Sequence, residues 1–221
     1  MRPNIASVGS HVEQGHENAE TLTPHAALIR RGVSPERTKM TLHDLEARFA
    51  GLSAAQHADF QDQHLGMVAC QEALRAASRG NYGVGAVFVD PHGTVVEQGQ
   101  NAVFYPHFRS DLHAEMVVMN AFEDRHPEVD TMRGYALVCS IEPCPMCFAR
   151  LLAAGVQTVK FLAEDAWGGM LRHRQHLPDA WQRLEQRQAI SQADVSESLR
   201  QLAADVFRLT LDLCRQKLWS R

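Results

Sequence analysis

The feature that most constrains the fold is a pair of cysteines, Cys144 and Cys147, in the first turn of a predicted helix. The run 135–141 before it is apolar and favours a strand. Residues 145–155 begin with proline and end with glycine, which is typical of a helix. A second strand-like run, 156–162, follows. This strand–helix–strand order predicts a crossover between neighbouring strands of one sheet.

The rest of the chain extends this alternation of helical and strand-like periods. The final helix is expected to begin near Asp194, with an apolar stripe from Leu199 to Leu213. The helix that contains His113 is expected to have Ser110 or Asp111 as its N-cap. The other predicted elements are helices over 41–51 and from Ser53 toward Gly80, strands over 83–90 and 94–100, and a short apolar segment near Ala189. Strands separated by helices predict an α/β protein with a partly parallel, mixed sheet.

Two regions are expected. Residues 1–58 form a polar N-terminal extension with one short helix, and 59–221 form the main domain with its C-terminal helix. No apolar run is long enough to span a membrane, and the first residues lack the apolar core of a secretory signal. Five cysteines, an odd number, argue against a disulfide framework, so a reducing, cytoplasmic location is expected.

A Cys-x-x-Cys pair alone has two interpretations, half of a zinc site or a redox-active dithiol. The segment "HAE" at 113–115 favours zinc, because His113 also opens a predicted helix. One histidine and two cysteines form a catalytic type of zinc site, in which the fourth position is left for water. A structural zinc module is less consistent with the sequence, since such sites usually have four protein ligands.

"HAE" followed by "PCPMC" matches the H-x-E…P-C-x-x-C signature of zinc nucleobase deaminases. Over roughly residues 60–165, the chain resembles the cytidine-deaminase-like superfamily, and within it bacterial guanine deaminases and tRNA adenosine deaminases. The resemblance implies a three-layer α/β/α sandwich with a five-stranded mixed sheet, and a homodimer.

The resemblance also implies a role for each matching residue. His113, Cys144 and Cys147 would bind one Zn²⁺ per subunit, and Glu115 would carry the proton from water to the ring nitrogen and then to ammonia. Asn101 would hydrogen-bond the substrate, with Ala114 near the metal. Phe104, Tyr105 and Trp167 are aromatic candidates for contact with a planar base.

Two substrate classes follow. The first is a small base, nucleoside or related heterocycle, whose exocyclic amine is hydrolysed as in guanine deaminases. The second is an adenosine in a tRNA loop, which requires a basic surface. The net charge of −4 favours the small substrate. A local patch from Arg172, Arg174, Arg183, Arg215, Lys217 and Arg221 keeps the RNA interpretation open.

Overall fold

The computed structural model describes residues 40–52 and 59–220. The helices are α1 (Leu42–Ala50), α2 (Gln63–Ser78), α3 (Ala114–Arg125), α4 (Pro145–Ala153), α5 (Asp179–Glu185) and α6 (Glu197–Trp219), with a 3-10 helix at Leu171–His176. The strands are β1 (Gly85–Val89), β2 (Val95–Gln100), β3 (Ala136–Ile141), β4 (Thr158–Ala163) and β5 (Ala189–Gln192). No helix in these ranges is both long and apolar enough to cross a membrane.

The strands form one mixed sheet in the order β2-β1-β3-β4-β5. β1 pairs antiparallel with both β2 and β3, whereas β3, β4 and β5 run parallel to one another. The parallel half requires crossovers, and α4 supplies the one between β3 and β4. The predicted five-stranded mixed sheet is therefore confirmed.

Helices cover both faces of this sheet. A side chain at Gly85 would collide with the backbone of α2 at Ala69, so β1 lies directly against that helix. Gly99 of β2 faces the other way, since a Cβ there would lie 2.9 Å from Cγ1 of Val117 in α3. Gly99 pairs with Ala86, the residue after Gly85, and successive strand residues point to opposite faces. The α/β/α layering expected from the sequence is thus confirmed.

Side-chain bonds join the starts of α2 and α6. The side-chain amide of Gln63 donates to the Ser196 hydroxyl over 3.2 Å, and its Oε1 accepts from the Ser196 backbone N–H over 2.9 Å. Asp62 accepts a hydrogen bond from Lys160 of β4 at 2.7 Å and from the Asp194 backbone N–H at 2.8 Å. The start of α6 is therefore fixed to both α2 and the sheet.

Helix α1 packs within the same compact unit, Lys39–Arg221, as the sheet. Thr41 and Asp44 form a capping box at the start of α1, where the sequence predicts a helix over 41–51, and Leu45 is fully buried. Arg48 donates to the buried carboxylate of Asp205 in α6 at 2.7 Å. The predicted polar arm over 1–38 lies outside the described residues, and the boundary between residues 58 and 59 stays a prediction.

The predicted starts of α3 and α6 need correction. The N-cap of α3 is His113, because the Asp111 carboxylate is held by Arg109 at 2.8 Å and does not cap the helix. The N-cap of α6 is Ser196, whose hydroxyl accepts from Leu199 N–H. Asp194 is used elsewhere, since its carboxylate accepts from the Gln61 backbone N–H at 3.0 Å.

Candidate active site

His113 and Cys144 occupy equivalent positions, each being the last extended residue before a helix. Their backbones have φ −67°, ψ 158° and φ −71°, ψ 168°, respectively. Neither side chain caps its own helix, so both are available to a ligand. The sulfur of Cys144 lies 3.5 Å from Nδ1 of His113. The sheet therefore brings the starts of α3 and α4 together, as the sequence predicts.

Cys147 completes a cluster of three metal-type donors. One ligand atom from each of His113, Cys144 and Cys147 lies within 4.8 Å of the other two. Cys147 sits in the first turn of α4 and is fully buried. One imidazole and two thiols are donors that zinc prefers, and three protein ligands are typical of catalytic zinc sites. The residues present therefore fit a metal ion of this kind.

The local electrostatics favour a thiolate at Cys144. A hydrogen bond from Cys147 and another from His113 lower the pKa of the Cys144 thiol to about 4, against the opposing effect of burial. The same bond to Cys144, together with burial, raises the pKa of the Cys147 thiol. The N-terminus of α4 also stabilises negative charge at this point. The pair is thus arranged to hold one anionic sulfur close to an imidazole.

Glu115 lies beside the donor cluster without belonging to it. Its side chain is 4% exposed, in the first turn of α3. Burial, followed by the negative charge of Cys144, raises the pKa of the Glu115 carboxyl to about 7. A carboxyl group with such a pKa exchanges protons readily near neutral pH, which general acid–base catalysis requires.

Of these residues, His113, Cys144 and Glu115 line one cavity of about 330 Å³. Asn101 lies in its wall and is 2% exposed. The Asn101 side-chain oxygen accepts from the Val103 backbone N–H at 3.1 Å, which leaves the amide N–H groups for a ligand. The remaining lining is mostly apolar, and its members are Tyr82, Val84, Val103, Phe108, Ser110, Ile141, Glu142, Asp165, Phe207, Leu211, Arg215 and Leu218.

Four of the residues predicted to contact substrate lie outside this lining. Ala114 is fully buried. Phe104 packs behind the wall, with its ring 5.7 Å from that of Tyr82. Tyr105 and Trp167 are 55% and 71% exposed, respectively. Of the predicted substrate contacts, only Asn101 lines the cavity among the described residues, and a role for the other four stays a prediction.

Helix α6 forms one wall of the cavity, and the residues that form it were not predicted from the sequence. Phe207, Leu211, Arg215 and Leu218 line the cavity at intervals of three and four residues. The helix rotates away from the predicted stripe, since Leu209 and Leu213 are 37% and 52% exposed. Thr210 and Cys214 are buried in their place and continue the stripe from Val206. Thr210 and Cys214 continue the four-residue spacing from Val206 in the sequence, but the spacing alone does not show that they are buried.

Glu142 has a structural role that was not predicted from the sequence. Its carboxylate accepts from the backbone N–H groups of Asp165 at 3.2 Å and Leu171 at 2.8 Å. It therefore fixes the segment after β4 against the start of α4. Asp165, whose backbone N–H makes one of these bonds, lines the cavity.

Comparison with known proteins finds deaminases among those similar to this chain. Residues 60–163 match the cytidine and deoxycytidylate deaminase zinc-binding region. Over 111 residues the chain is 33% identical to a tRNA-specific adenosine deaminase of Bacillus subtilis, covering 49% of this chain and 66% of that relative, just under two thirds of its length.

Solved structures share the fold. One, from work on A-to-I editing by tRNA deaminases at the wobble position of transfer RNA, has a TM-score of 0.53 at 21% identity and covers 65% of this chain and 98% of its own. Another, a mutant protein in complex with 8-azaguanine, has a TM-score of 0.51 at 19% identity and covers 65% of this chain and 82% of its own. The stretch that matches the cytidine and deoxycytidylate deaminase zinc-binding region, residues 60–163, contains all three metal-type donors and Glu115.

Proposed function

We propose that the protein is a zinc-dependent hydrolytic deaminase of a small purine or pyrimidine base, nucleoside or related heterocycle. The reaction replaces an exocyclic amine by a carbonyl group, consuming water and releasing ammonia. The observation that carries this proposal is that His113 and Cys144 of the donor cluster line the same largely apolar cavity as the buried Glu115. Such a cavity suits a planar heterocycle.

His113, Cys144 and Cys147 would hold one zinc ion per subunit. When bound, zinc supplies Lewis-acid activation of water at neutral pH. Glu115 would accept a proton from the attacking water at its carboxylate and donate it to the ring nitrogen next to the reacting carbon. It would then pass the second proton to the departing amine, so that ammonia leaves and the carbonyl forms.

The remaining lining would bind and orient the ring. The Asn101 amide donates N–H groups toward a carbonyl or ring-nitrogen acceptor of the substrate. Val84, Val103 and Ile141 provide apolar surface for the ring faces. Burial of the ring would exclude bulk water from the reacting carbon, which strengthens each polar contact in the site.

The position of α6 supports a small substrate. Its side chains line the cavity, and the Gly83 backbone N–H donates to the Thr210 hydroxyl at 2.8 Å. A Cβ at Gly83 would lie only 2.6 Å from the Val206 carbonyl oxygen, so the helix is packed directly on the loop before β1. A structured RNA loop would need this wall to open, whereas a free heterocycle would not.

A tRNA adenosine deaminase is the second candidate, favoured by the 33% identity to the Bacillus subtilis enzyme. Two of the six cations in the predicted basic patch are paired with carboxylates in the structure, however. Arg172 pairs with Glu164 at 3.0 Å, and Arg174 pairs with Glu185 at 3.1 Å. Paired arginines offer less to a phosphate backbone, so we favour the small substrate.

An ammonia-release screen of zinc-loaded protein tests the choice. The substrates would be guanine, cytosine, their nucleosides, adenosine and a tRNA transcript. We expect release from at least one small heterocycle. Release from the tRNA alone would overturn the small-substrate proposal, and release from none would overturn deaminase activity on these classes.

A further inference from the structure

We propose that Arg215 binds an anionic substituent, a phosphate ester or a carboxylate, on the substrate of this cavity. The inference rests on the proposed function, because it places the anion on the molecule whose amine is removed. Arg215 lies in the C-terminal helix, outside the matched family region that ends at residue 163.

Arg215 is the one arginine or lysine among the described residues that line the cavity. Its side chain is half-buried, in the same wall as Leu211 and Tyr82. Burial, with a contribution from Cys214, raises the pKa of the Tyr82 hydroxyl, and the positive charge of Arg215 opposes that rise. The guanidinium charge therefore acts within the cavity wall.

The guanidinium of Arg215 has no hydrogen-bond or ion-pair partner within the part of the chain that the structure describes. Other cations of α6 are engaged. Lys217 donates to the Gly80 carbonyl at 2.7 Å and lies 5.0 Å above the Phe104 ring, and Arg208 pairs with Asp205 at 2.6 Å. Arg215 is thus a fork of N–H donors left free where a ligand binds.

The carboxylates of the cavity do not account for Arg215. Glu142 already accepts two backbone N–H groups, and Asp165 accepts from the Trp167 N–H at 3.0 Å. Glu115 is reserved for proton transfer in the proposed reaction. An anion elsewhere in the cavity would be repelled by these three carboxylates, so Arg215 is the position at which one is tolerated.

The N–H donors of an arginine match the geometry of both phosphate and carboxylate oxygens. Two kinds of substrate could therefore supply the anion. A nucleotide would bring a phosphate, and an acidic amino-heterocycle would bring a carboxylate. Matched pairs separate them. Guanosine and guanosine 5′-monophosphate differ only in the phosphate, and pterin and pterin-6-carboxylate differ only in the carboxylate.

The experiment measures the dissociation constants of these four compounds by calorimetry on the full-length, zinc-loaded Glu115→Ala variant, so that binding is read without turnover. We expect the anionic member of at least one pair to bind roughly tenfold to a hundredfold more tightly. Arg215→Gln, introduced into the same variant, should remove that preference, and Arg215→Lys should restore part of it. Arg208→Gln removes the same charge from α6 outside the cavity and should leave the preference unchanged.

Equal binding within both pairs, or a preference that survives Arg215→Gln, would overturn the assignment of Arg215. The experiment distinguishes failure of the deaminase proposal from failure of the anion-binding role of Arg215. If the wild-type protein releases no ammonia from any of these compounds but Arg215 still selects the anion, the deaminase proposal fails for them and the binding role stands. If the wild-type protein releases ammonia from these compounds but binds both members of each pair equally, the deaminase proposal stands and the role of Arg215 fails.

Discussion

Glu115 and His113 are separated by one residue yet have different environments. His113 offers a ring nitrogen to the sulfur cluster, whereas Glu115 is buried and points to the same cavity without joining the cluster. The helix start sets this arrangement, since the N-cap is extended and the residues after it are helical. Two residues that are two positions apart in sequence can therefore serve separately as ligand and proton carrier.

Glu115→Ala should abolish deamination and leave zinc bound. Loss of the proton carrier should lower kcat by about 10²-fold to 10⁴-fold. Ammonia release and zinc content by atomic emission would measure the two effects. Asp124→Ala, on an exposed part of the same helix, is the control and should behave as wild type. Loss of zinc, or unchanged turnover, would contradict the role of Glu115.

Cys147→Ala should lower zinc content well below one ion per chain. Removal of one of three protein donors weakens the site, because few ligands remain to hold the ion. A chelator should lower the melting temperature of the wild type but change that of the variant little. Cys70→Ala removes an equally buried thiol from α2 and should keep its zinc. Full zinc content in Cys147→Ala would exclude Cys147 as a ligand.

The cluster of three metal-type donors was predictable from the sequence because each member stands at a helix start marked by local signals. "HAE" and Pro145 identify those starts without knowledge of the sheet. Arg215 was named in the sequence only as one member of a basic patch, and its place in the cavity was not predictable. More than 60 residues separate it from the cysteines, and its position depends on how α6 crosses the sheet.

At the scale of elements, α6 joins the core to the cavity. Its first half is buried by Leu199, Leu202 and Val206, and its second half forms one cavity wall. The sequence predicted the helix and the first part of its stripe. It did not predict the rotation at Thr210, because a buried threonine bonded to Gly83 cannot be distinguished from an exposed one by periodicity.

Gly83→Ala should destabilise the protein and disturb the cavity. The new methyl group would lie 2.6 Å from the Val206 carbonyl oxygen and 2.7 Å from Val206 Cγ1. Displacement of α6 should cost about 1–3 kcal/mol in the free energy of unfolding and raise KM. Urea denaturation and steady-state kinetics would measure these changes.

Gly51→Ala is the matched control for this substitution. Its φ is −77°, and the nearest atom to a new Cβ is 3.5 Å away, so little change is expected. A Gly83→Ala variant as stable and as active as Gly51→Ala would show that α6 does not pack tightly on the loop before β1.

At the scale of the whole molecule, alternating helical and strand periods were enough to predict the layers. They were not enough to predict strand order, because β5 is only four residues long and follows a polar segment. That segment forms the 3-10 helix and α5, whose residues are exposed or half-buried and carry little apolar periodicity. The homodimer implied by the family resemblance stays a prediction.

Asp205→Ala should loosen the contact between α1 and α6. Asp205 is 5% exposed and accepts from Arg48, Gln201 and Arg208. Loss of these charge-assisted bonds should cost about 1–3 kcal/mol in the free energy of unfolding. Faster proteolysis near α1 would report the detachment. Glu164→Ala, which breaks an exposed pair with Arg172, should cost less than about 1 kcal/mol. Equal effects of the two substitutions would argue against a structural role for Asp205.

The dependence of activity on salt separates the two substrate classes for the intact molecule. A tRNA substrate would form many phosphate contacts, and six to ten such contacts lower affinity by about 10³-fold to 10⁵-fold between roughly 50 and 200 mM salt. The chain has a net charge of −4, and one contact at Arg215 gives only a shallow dependence. We therefore expect kcat/KM for the preferred small heterocycle to fall less than about tenfold over this range. Uncharged buffers at constant pH would isolate the effect of ionic strength. A steep loss of activity, seen with a tRNA transcript and absent for every free heterocycle, would assign the cavity to an RNA loop.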